Sequence, residues 1–391
     1  MPSARVLRRR HFSLSGLMYI VVVVLVGLGA VNSQNNMLFF AFGLALAAAL
    51  ISGVVSGGTL LSLEVERIAP RVGAVGAPLH VGYSVRNRSR WLPAFAIALQ
   101  EAPARGRREE SSGRAQAPPA RAFVAQVGTR SRTRVDSIVV PTRRGTLTFG
   151  LVRASTSFPL GITRKSVTFA VDEGESGPAR CIIRPEIVPI ASEAVRRAAA
   201  MSNEGERSSP SVGLGDEFYS IREYAPGDSA RQIAWRPSAR TGTLLVRENA
   251  SRAPMRLWIG LALAAPTGAD DDAARLNERA ISLAASLIAR ASEDGAEVGL
   301  AAPACAVVAP PRAGARHAER LLDMLAVLDV ERADMAQGGA FPPSQRSAAW
   351  LIVHATERRP ARVPARAALI SAARPDSILA VERLEGSPTW R

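Results

Sequence analysis

Two almost uncharged runs, Leu14 to Val31 and Met37 to Val55, limit what this chain can become before any other residue is considered. Each is close to the roughly 20 residues that cross a bilayer as an α-helix. In hydrocarbon every backbone N–H and C=O must be satisfied within its own segment, so two such runs in tandem predict two spanning helices. Between them lies Asn32-Ser33-Gln34-Asn35-Asn36, polar, uncharged and short enough to predict a tight reversal. Arg5, Arg8, Arg9 and Arg10 precede the first run, in a basic N-terminus of residues 1–13, and Arg67 and Arg71 follow the second. The positive-inside rule then puts both ends of the hairpin in the cytoplasm and the Asn-rich loop outside. A cleaved leader cut after Ala30 fits less well: Leu28 stands where a small residue is needed, and a second apolar run follows at once. Gly27, Gly29, Gly43, Gly53 and Gly57 allow close helix approach. No ionisable residue lies inside either run, so the hairpin reads as an anchor rather than a transport path.

From Leu60 to about Ala170 the pattern changes to short strands. Leu79, Val81, Tyr83 and Val85 alternate, and Ala94 to Leu99 and Val135 to Val140 are expected to pair with them. Gly73, Gly76, Pro78, Pro93, Pro141 and Gly145 punctuate the strands. Residues 60–170 therefore predict a small β-sandwich-like domain of immunoglobulin type. Ala102 to Arg121 is an Ala/Pro/Arg/Ser insert, expected to be a mobile hairpin loop. Residues 171–212 read as a linker, with a turn at Gly174 to Pro178, a short helix at Glu193 to Ala200 and a polar segment from Asn203 to Pro210.

Residues 255–391 alternate strand and helix. Leu257 to Leu263 is a continuous apolar run, as in a strand buried on both faces. Ala273 to Ala291 places Leu276, Ala280, Leu283, Leu287 and Ile288 on one helical face. Strands follow at Glu297 to Ala301 and Ala304 to Ala309, then a helix at Ala315 to Leu328 and a buried strand at Trp350 to His354. Ala367 to Ile370 and Ile378 to Val381 extend the set. This rhythm predicts a doubly wound sheet covered by helices.

Between the β and α/β regions lies the densest chemistry, residues 213–250. Phe218, Ser220, Arg222 and Tyr224 fall on one face of an extended segment, and Pro226-Gly227 is a turn signal. Asp228 is placed to cap a short helix near Arg231, anchored by Ile233 and Trp235, and Thr241-Gly242 turns the chain into a second strand from Leu244 to Val246. Gly213-x-Gly215 suits a tight backbone path, but a P-loop lysine and the dinucleotide spacing are both missing. Glu217, Arg222, Asp228, Arg231 and Arg240 have two readings: a partly buried ion network bracing a fold junction, or a groove that binds a partner or an anion through guanidinium forks. Paired-carboxylate catalysis by Asp216, Glu217 or Asp228 is disfavoured, because no nucleophile or positioned His accompanies them. No catalytic constellation and no cofactor are expected.

This stretch resembles the signature of a bacterial family called domain of unknown function fifty-eight. The resemblance is carried by Gly213, Gly215, Glu217, Phe218, Arg222, Tyr224, Gly227, Asp228, Arg231, Ile233 and Trp235, then Ser238 to Gly242, which includes Arg240, and Leu244 to Glu248. Upstream, Arg143 to Gly150, Ser157 to Gly161 and Ile182 to Ile190 resemble segments that precede the signature in that family. The resemblance implies a membrane-anchored protein with a von Willebrand factor A-like region, often encoded beside a MoxR-type AAA+ ATPase. It brings no mechanism. A von Willebrand A-like domain holds a divalent ion with D-x-S-x-S after its first strand. Here that place reads Ala262, Leu263, Ala264, Ala265, Pro266, Thr267, which offers almost no oxygen ligand, so no metal is expected. Asp270, Asp271 and Asp272 then read as helix-capping acids.

The net charge of +15 over 391 residues comes from arginine, with Lys165 the sole lysine, and acids are mixed among the arginines. No aromatic-basic alternation accompanies it, so no nucleic-acid partner is expected, and anionic lipid headgroups are the better match. Cys181 and Cys305 are far apart, and His11, His80, His317 and His354 are scattered singly, which predicts neither a disulfide framework nor a zinc site. The leading expectation is a non-enzymatic scaffold or adaptor of the bacterial inner membrane, with both termini and the soluble domains in the cytoplasm. It would dock a MoxR-type ATPase or a client in assembly or maturation of envelope proteins. The alternatives are an enzyme or nucleotide/anion-binding protein using Arg222, Asp228, Arg231 and Arg240, and an adaptor whose signature is only an internal brace.

Overall fold

The computed structural model describes residues 7–12, 14–102, 115–169, 171, 180–202, 211–213, 217–251, 255–264, 271–331, 340–342, 348–355, 363–364 and 367–374. Two compact units divide the chain: Met1–Glu186 with Ala326–Leu328, and Ile187–Leu325 with Asp329–Arg391.

The first unit opens with strand β1 (Leu7–Phe12), which leads directly into helices α1 (Leu14–Ser33) and α2 (Asn36–Leu61). Both helices are long and apolar enough to cross a membrane. Their apolar side chains, from Leu14 and Leu17 to Leu50 and Ile51, stand exposed, the surface a lipid-facing helix needs. The reversal falls where the Asn-rich segment predicts it. Gln34 takes a left-handed φ of 48°, and the Asn35 side chain accepts from the Met37 N–H at 2.9 Å, capping α2.

Among the described residues, the first ten strands of this unit are β1, then β2 (Leu63–Ile68), β3 (Val72–Ala74), β4 (Leu79–Asn87), β5 (Ala94–Ala102), β6 (Arg121–Val127), β7 (Arg132–Val139), β8 (Gly145–Thr148), β9 (Leu151–Thr156) and β10 (Thr163–Phe169). An eleventh, β11 (Arg180–Arg184), lies in what reads as linker, yet it pairs with β3 and β8. The sheets run β1-β10-β9-β5-β6, β2-β4-β7 and β3-β11-β8. The expected pairing of β4 with β5 does not occur: β4 lies between β2 and β7, and β5 between β6 and β9. Alternation tells which side chains point inward, not which strand lies alongside. Val65, Val81, Tyr83 and Val85 from one sheet share a core with Ile97, Leu99, Val124, Val152 and Val167 from the other.

A buried ion pair ties those two sheets together. Arg67 on β2 is 5% exposed, and its guanidinium meets Glu101 on β5 in two parallel bonds of 2.7 and 2.9 Å. It also donates to the Gly150 carbonyl and lies 5.0 Å over the Phe149 ring. The Tyr83 hydroxyl donates to the same carboxylate at 3.0 Å. Burial outweighs the neighbouring guanidinium and pushes Glu101 above the usual carboxylate range, and burial beside Glu101 raises the Tyr83 phenol. Arg67, which reads in the sequence as a membrane-flanking charge, is thus an interior residue. The supposed mobile insert is also partly packed: Ala115 and Ala120 are buried and Gln116 bridges Arg143. Residues 103–114 of that insert, with Gly174 to Pro178 and Asn203 to Pro210, lie outside the described residues.

The second unit holds α3 (Ser192–Ser202), β12 (Ser211–Gly213), β13 (Glu217–Glu223), α4 (Trp235–Thr241), β14 (Leu245–Ser251), β15 (Arg256–Ala262), α5 (Asp271–Glu293), β16 (Glu297–Ala302), β17 (Val307–Arg312), α6 (Ala315–Val327), β18 (Ala348–His354) and β19 (Ala368–Ser371). A mixed sheet runs β17-β16-β15-β18-β19, parallel except for β17. Only a 3-10 turn at Pro303–Cys305 and Ala306, at φ 54°, separate β16 from β17. That is too short for a parallel crossover, so β17 folds back antiparallel. Helices α3 and α5 pack on β15 and β18, burying Ile281, Leu283, Leu287 and Ile288. Trp258 and Trp350 stand opposite each other in the register, stacked 5.1 Å apart, with Phe341 edge-on to Trp350. Ile378 to Val381 lies outside the described residues.

Candidate functional site

The signature folds as a small antiparallel sheet, β12-β14-β13, carrying α4 between its two longer strands. Gly213 pairs with Asn249, Glu217 with Ala250 and Phe218 with Asn249. Gly215 and Asp216 lie outside the described residues. The alternation expected from Phe218 to Tyr224 is broken by a bulge between Phe218 and Ser220, where one extra residue is accommodated against β14.

After β13 the chain turns at Pro226-Gly227, with Gly227 at φ 112°, a conformation that a residue with a Cβ rarely adopts. Asp228 closes this turn rather than capping a helix. Its carboxylate accepts from the Ala225 N–H at 2.9 Å, while its own N–H donates to the Ala225 carbonyl at 3.1 Å. The 3-10 turn that follows, Ala230–Gln232, has Ser229 at its N-cap. Arg222 grips the same carboxylate through both terminal nitrogens, at 2.7 and 2.6 Å, and donates to the Glu223 carbonyl at 3.0 Å. The guanidinium and the Ala225 N–H hold Asp228 below the usual carboxylate range.

Ser238 ties α4 to β14. Its hydroxyl donates to the Ala234 carbonyl and accepts from the Leu245 N–H, each at 2.9 Å. Gly242, left-handed at φ 75°, ends the helix. Ile233 is half-buried and bridges Val246, which is fully inside. Trp235, expected to anchor the helix, does the opposite: it is 66% exposed. Backbone bonds from Tyr224 to Leu244 and from Ala234 to Leu245 gather Tyr224, Leu244 and Trp235 at one end of the hairpin. Tyr224 and Leu244 are exposed there too, and so is Ile221 on β13. The expected five-residue ion network reduces, among the described side chains, to the Arg222–Asp228 pair, with Arg231 and Arg240 exposed.

Just after β15, a side-chain amide holds the chain. Asn277 on α5 is buried, accepting from the Ala264 N–H at 2.8 Å and donating to the Ala264 carbonyl at 3.0 Å. Sequence patterning missed it, because an Asn on a helix's inner face looks like any polar interruption. Asp270 lies outside the described residues; α5 begins at Asp271, and Asp272, expected as a capping acid, pairs instead with Arg275 at 2.6 Å. Among the described residues no group of three or more His, Cys, Asp or Glu side chains is placed to hold a metal. Neither Cys181 nor Cys305 is in a disulfide, and burial pushes Cys181 up to about 11. His317 contacts the Val298 carbonyl at 3.0 Å.

Two N-terminal long apolar helices, several small antiparallel sheets and a mixed α/β sheet in the C-terminal region define the class of chain. Residues 220–369 match the family described as protein of unknown function DUF58. The match starts within β13, takes in the turn, α4, β14 and the strands β15 to β18, and ends within β19. No curated protein matches the chain. Among solved structures, it is similar to an inactive mutant of the GH20 exo-β-N-acetylglucosaminidase from Vibrio harveyi, at 10% identity. That likeness covers 75% of this chain and 57% of the other, with a TM-score of 0.15, too low to bear on fold or function.

Proposed function

We propose that this protein is a membrane-tethered, non-enzymatic scaffold whose signature hairpin docks a protein partner. The observation that carries the reading is the exposure of Trp235, Tyr224, Leu244 and Ile221 around a turn stiffened by Arg222 and Asp228. An internal brace would bury those side chains. Aromatic and arginine side chains on a rigid support are the chemistry of interface hot spots, and grouped exposed apolar residues mark interaction surfaces. An anion or nucleotide site at Arg222, Asp228, Arg231 and Arg240 has less support, since both forks of Arg222 already face a carboxylate.

In this reading α1 and α2 are the anchor in the bacterial inner membrane, and the soluble units face the cytoplasm. The first is a β-sandwich of immunoglobulin type and the second a von Willebrand A-like module, with Asn277 in place of the ion. The partner is a MoxR-type AAA+ ATPase, and the role is assembly or maturation of envelope proteins. The test is binding of the purified ATPase to wild type beside Trp235→Ala, Arg231→Ala and Asp228→Ala, each checked for folding. Loss of binding in folded variants supports docking. Full binding by all three, or unfolding as their sole effect, sinks it.

A further inference from the structure

The turn between β9 and β10 sits beside both same-side ends of the helix hairpin. In the first turn of α1, Ser15 donates to the Gly161 carbonyl at 3.3 Å. A Cβ on Gly16 would lie 1.9 Å from the Ile162 carbonyl oxygen, so helix and turn touch backbone to backbone. At the other end, the Lys165 ammonium donates to the carbonyl of Gly53 on α2. Residues 157–165 therefore lie level with Leu14, where the apolar run of α1 begins.

The chemistry of this stretch matches that level. The turn exposes Phe158 (36%) and Leu160 (47%) beside Pro159, an apolar tip next to the first turn of α1. Behind the tip the register sets Arg10 opposite Lys165 and His11 opposite Arg164, with Arg8 and Arg9 opposite the uncharged Val167 and Ser166. Like charges directly opposite in a ladder are unfavourable unless a counter-charge offsets them. An anionic bilayer surface supplies that counter-charge, and aromatic and aliphatic tips favour its headgroup boundary.

We propose that the β9–β10 turn and the β1–β10 ribbon form a membrane seat that binds the phosphates of anionic phospholipids, with Phe158 and Leu160 in the headgroup layer. It rests on the anchor reading of α1 and α2. The test uses the full chain with Cys305→Ala, which leaves only the buried Cys181, and a fluorophore at Leu160→Cys or, separately, at Leu25→Cys in α1. Each is placed in nanodiscs of phosphatidylcholine alone or with equal phosphatidylglycerol, and quenched by nitroxide lipids labelled at the headgroup or mid-chain. Expected are headgroup quenching at 160, a gain with phosphatidylglycerol, and loss of that gain in Arg8→Gln/Arg9→Gln/Arg10→Gln/Arg164→Gln. Mid-chain quenching at 25 with none at 160 overturns the seat and leaves the anchor standing. Quenching at 160 that ignores phosphatidylglycerol overturns the anionic-lipid assignment. Quenching at neither position removes the anchor and the seat together.

Discussion

Asn277 holds Ala264 by both of that residue's backbone groups, at 2.8 and 3.0 Å, and so fixes the chain as it leaves β15. Asn277→Ala leaves a buried N–H and C=O unpaired, at about 1–3 kcal/mol for each. Chemical denaturation of the soluble unit should register the loss. Asn277→Asp is the sharper test. A carboxylate keeps the acceptor but faces the Ala264 carbonyl with no proton to donate, so its folded pKa is raised. Its stability should therefore be greatest at low pH and fall as pH rises through that value. A variant equally stable across the acid range would contradict the clamp.

Arg67 and Glu101 should fail separately and succeed together. Removing one partner of a buried pair costs about 3–5 kcal/mol, whereas replacing both with apolar residues is often near neutral. Arg67→Leu is expected to lower the unfolding midpoint sharply, and Arg67→Leu/Glu101→Leu to recover much of it. If the double variant is as unstable as the sum of the singles, the pair is not the unit that joins the sheets.

The signature contains neighbours with opposite expected behaviour. Trp235→Ala removes an exposed ring and should change stability by no more than about 0.5 kcal/mol while abolishing partner binding. Ser238→Ala leaves the Leu245 N–H without its acceptor and should loosen the α4–β14 join, at about 1–3 kcal/mol. Thermal unfolding and binding measured on both variants separate surface from support.

Acid should open the Pro226-Gly227 turn. Asp228 has a lowered folded pKa, so its contribution is present above its unfolded value and lost as pH falls through the folded one. Hydrogen exchange at the Ala225 amide, normalised for intrinsic rate, should speed up over that window. Asp228→Asn should remove the transition.

The parts legible from sequence are those with a strong local period. The two apolar runs, the amphipathic α5 and α6 and the buried strand around Trp350 all lie where their patterns place them. What stayed hidden depends on distant partners. The Arg67–Glu101 pair joins residues 34 apart, β11 completes a sheet with β3 and β8 from far upstream, and Asn277 acts across 13 positions. At the signature, residue types announced a site, but whether Trp235 pointed inward or outward was settled by the packing of Ile233 and Val246. A lone Trp at the start of a short helix carries no period to read.

The pairing of β1 with β10 has a practical consequence for anyone who shortens this protein. A version begun after α2 loses not only the anchor but the strand that pairs with one flank of β10, from Thr163 to Thr168. A bare sheet edge recruits strands from other molecules. The shortened protein is therefore expected to aggregate, so poor behaviour in solution would report the missing N-terminal strand and not an unstable fold. Keeping residues 7–12, joined by a soluble linker in place of the helices, should restore a monodisperse protein in light scattering.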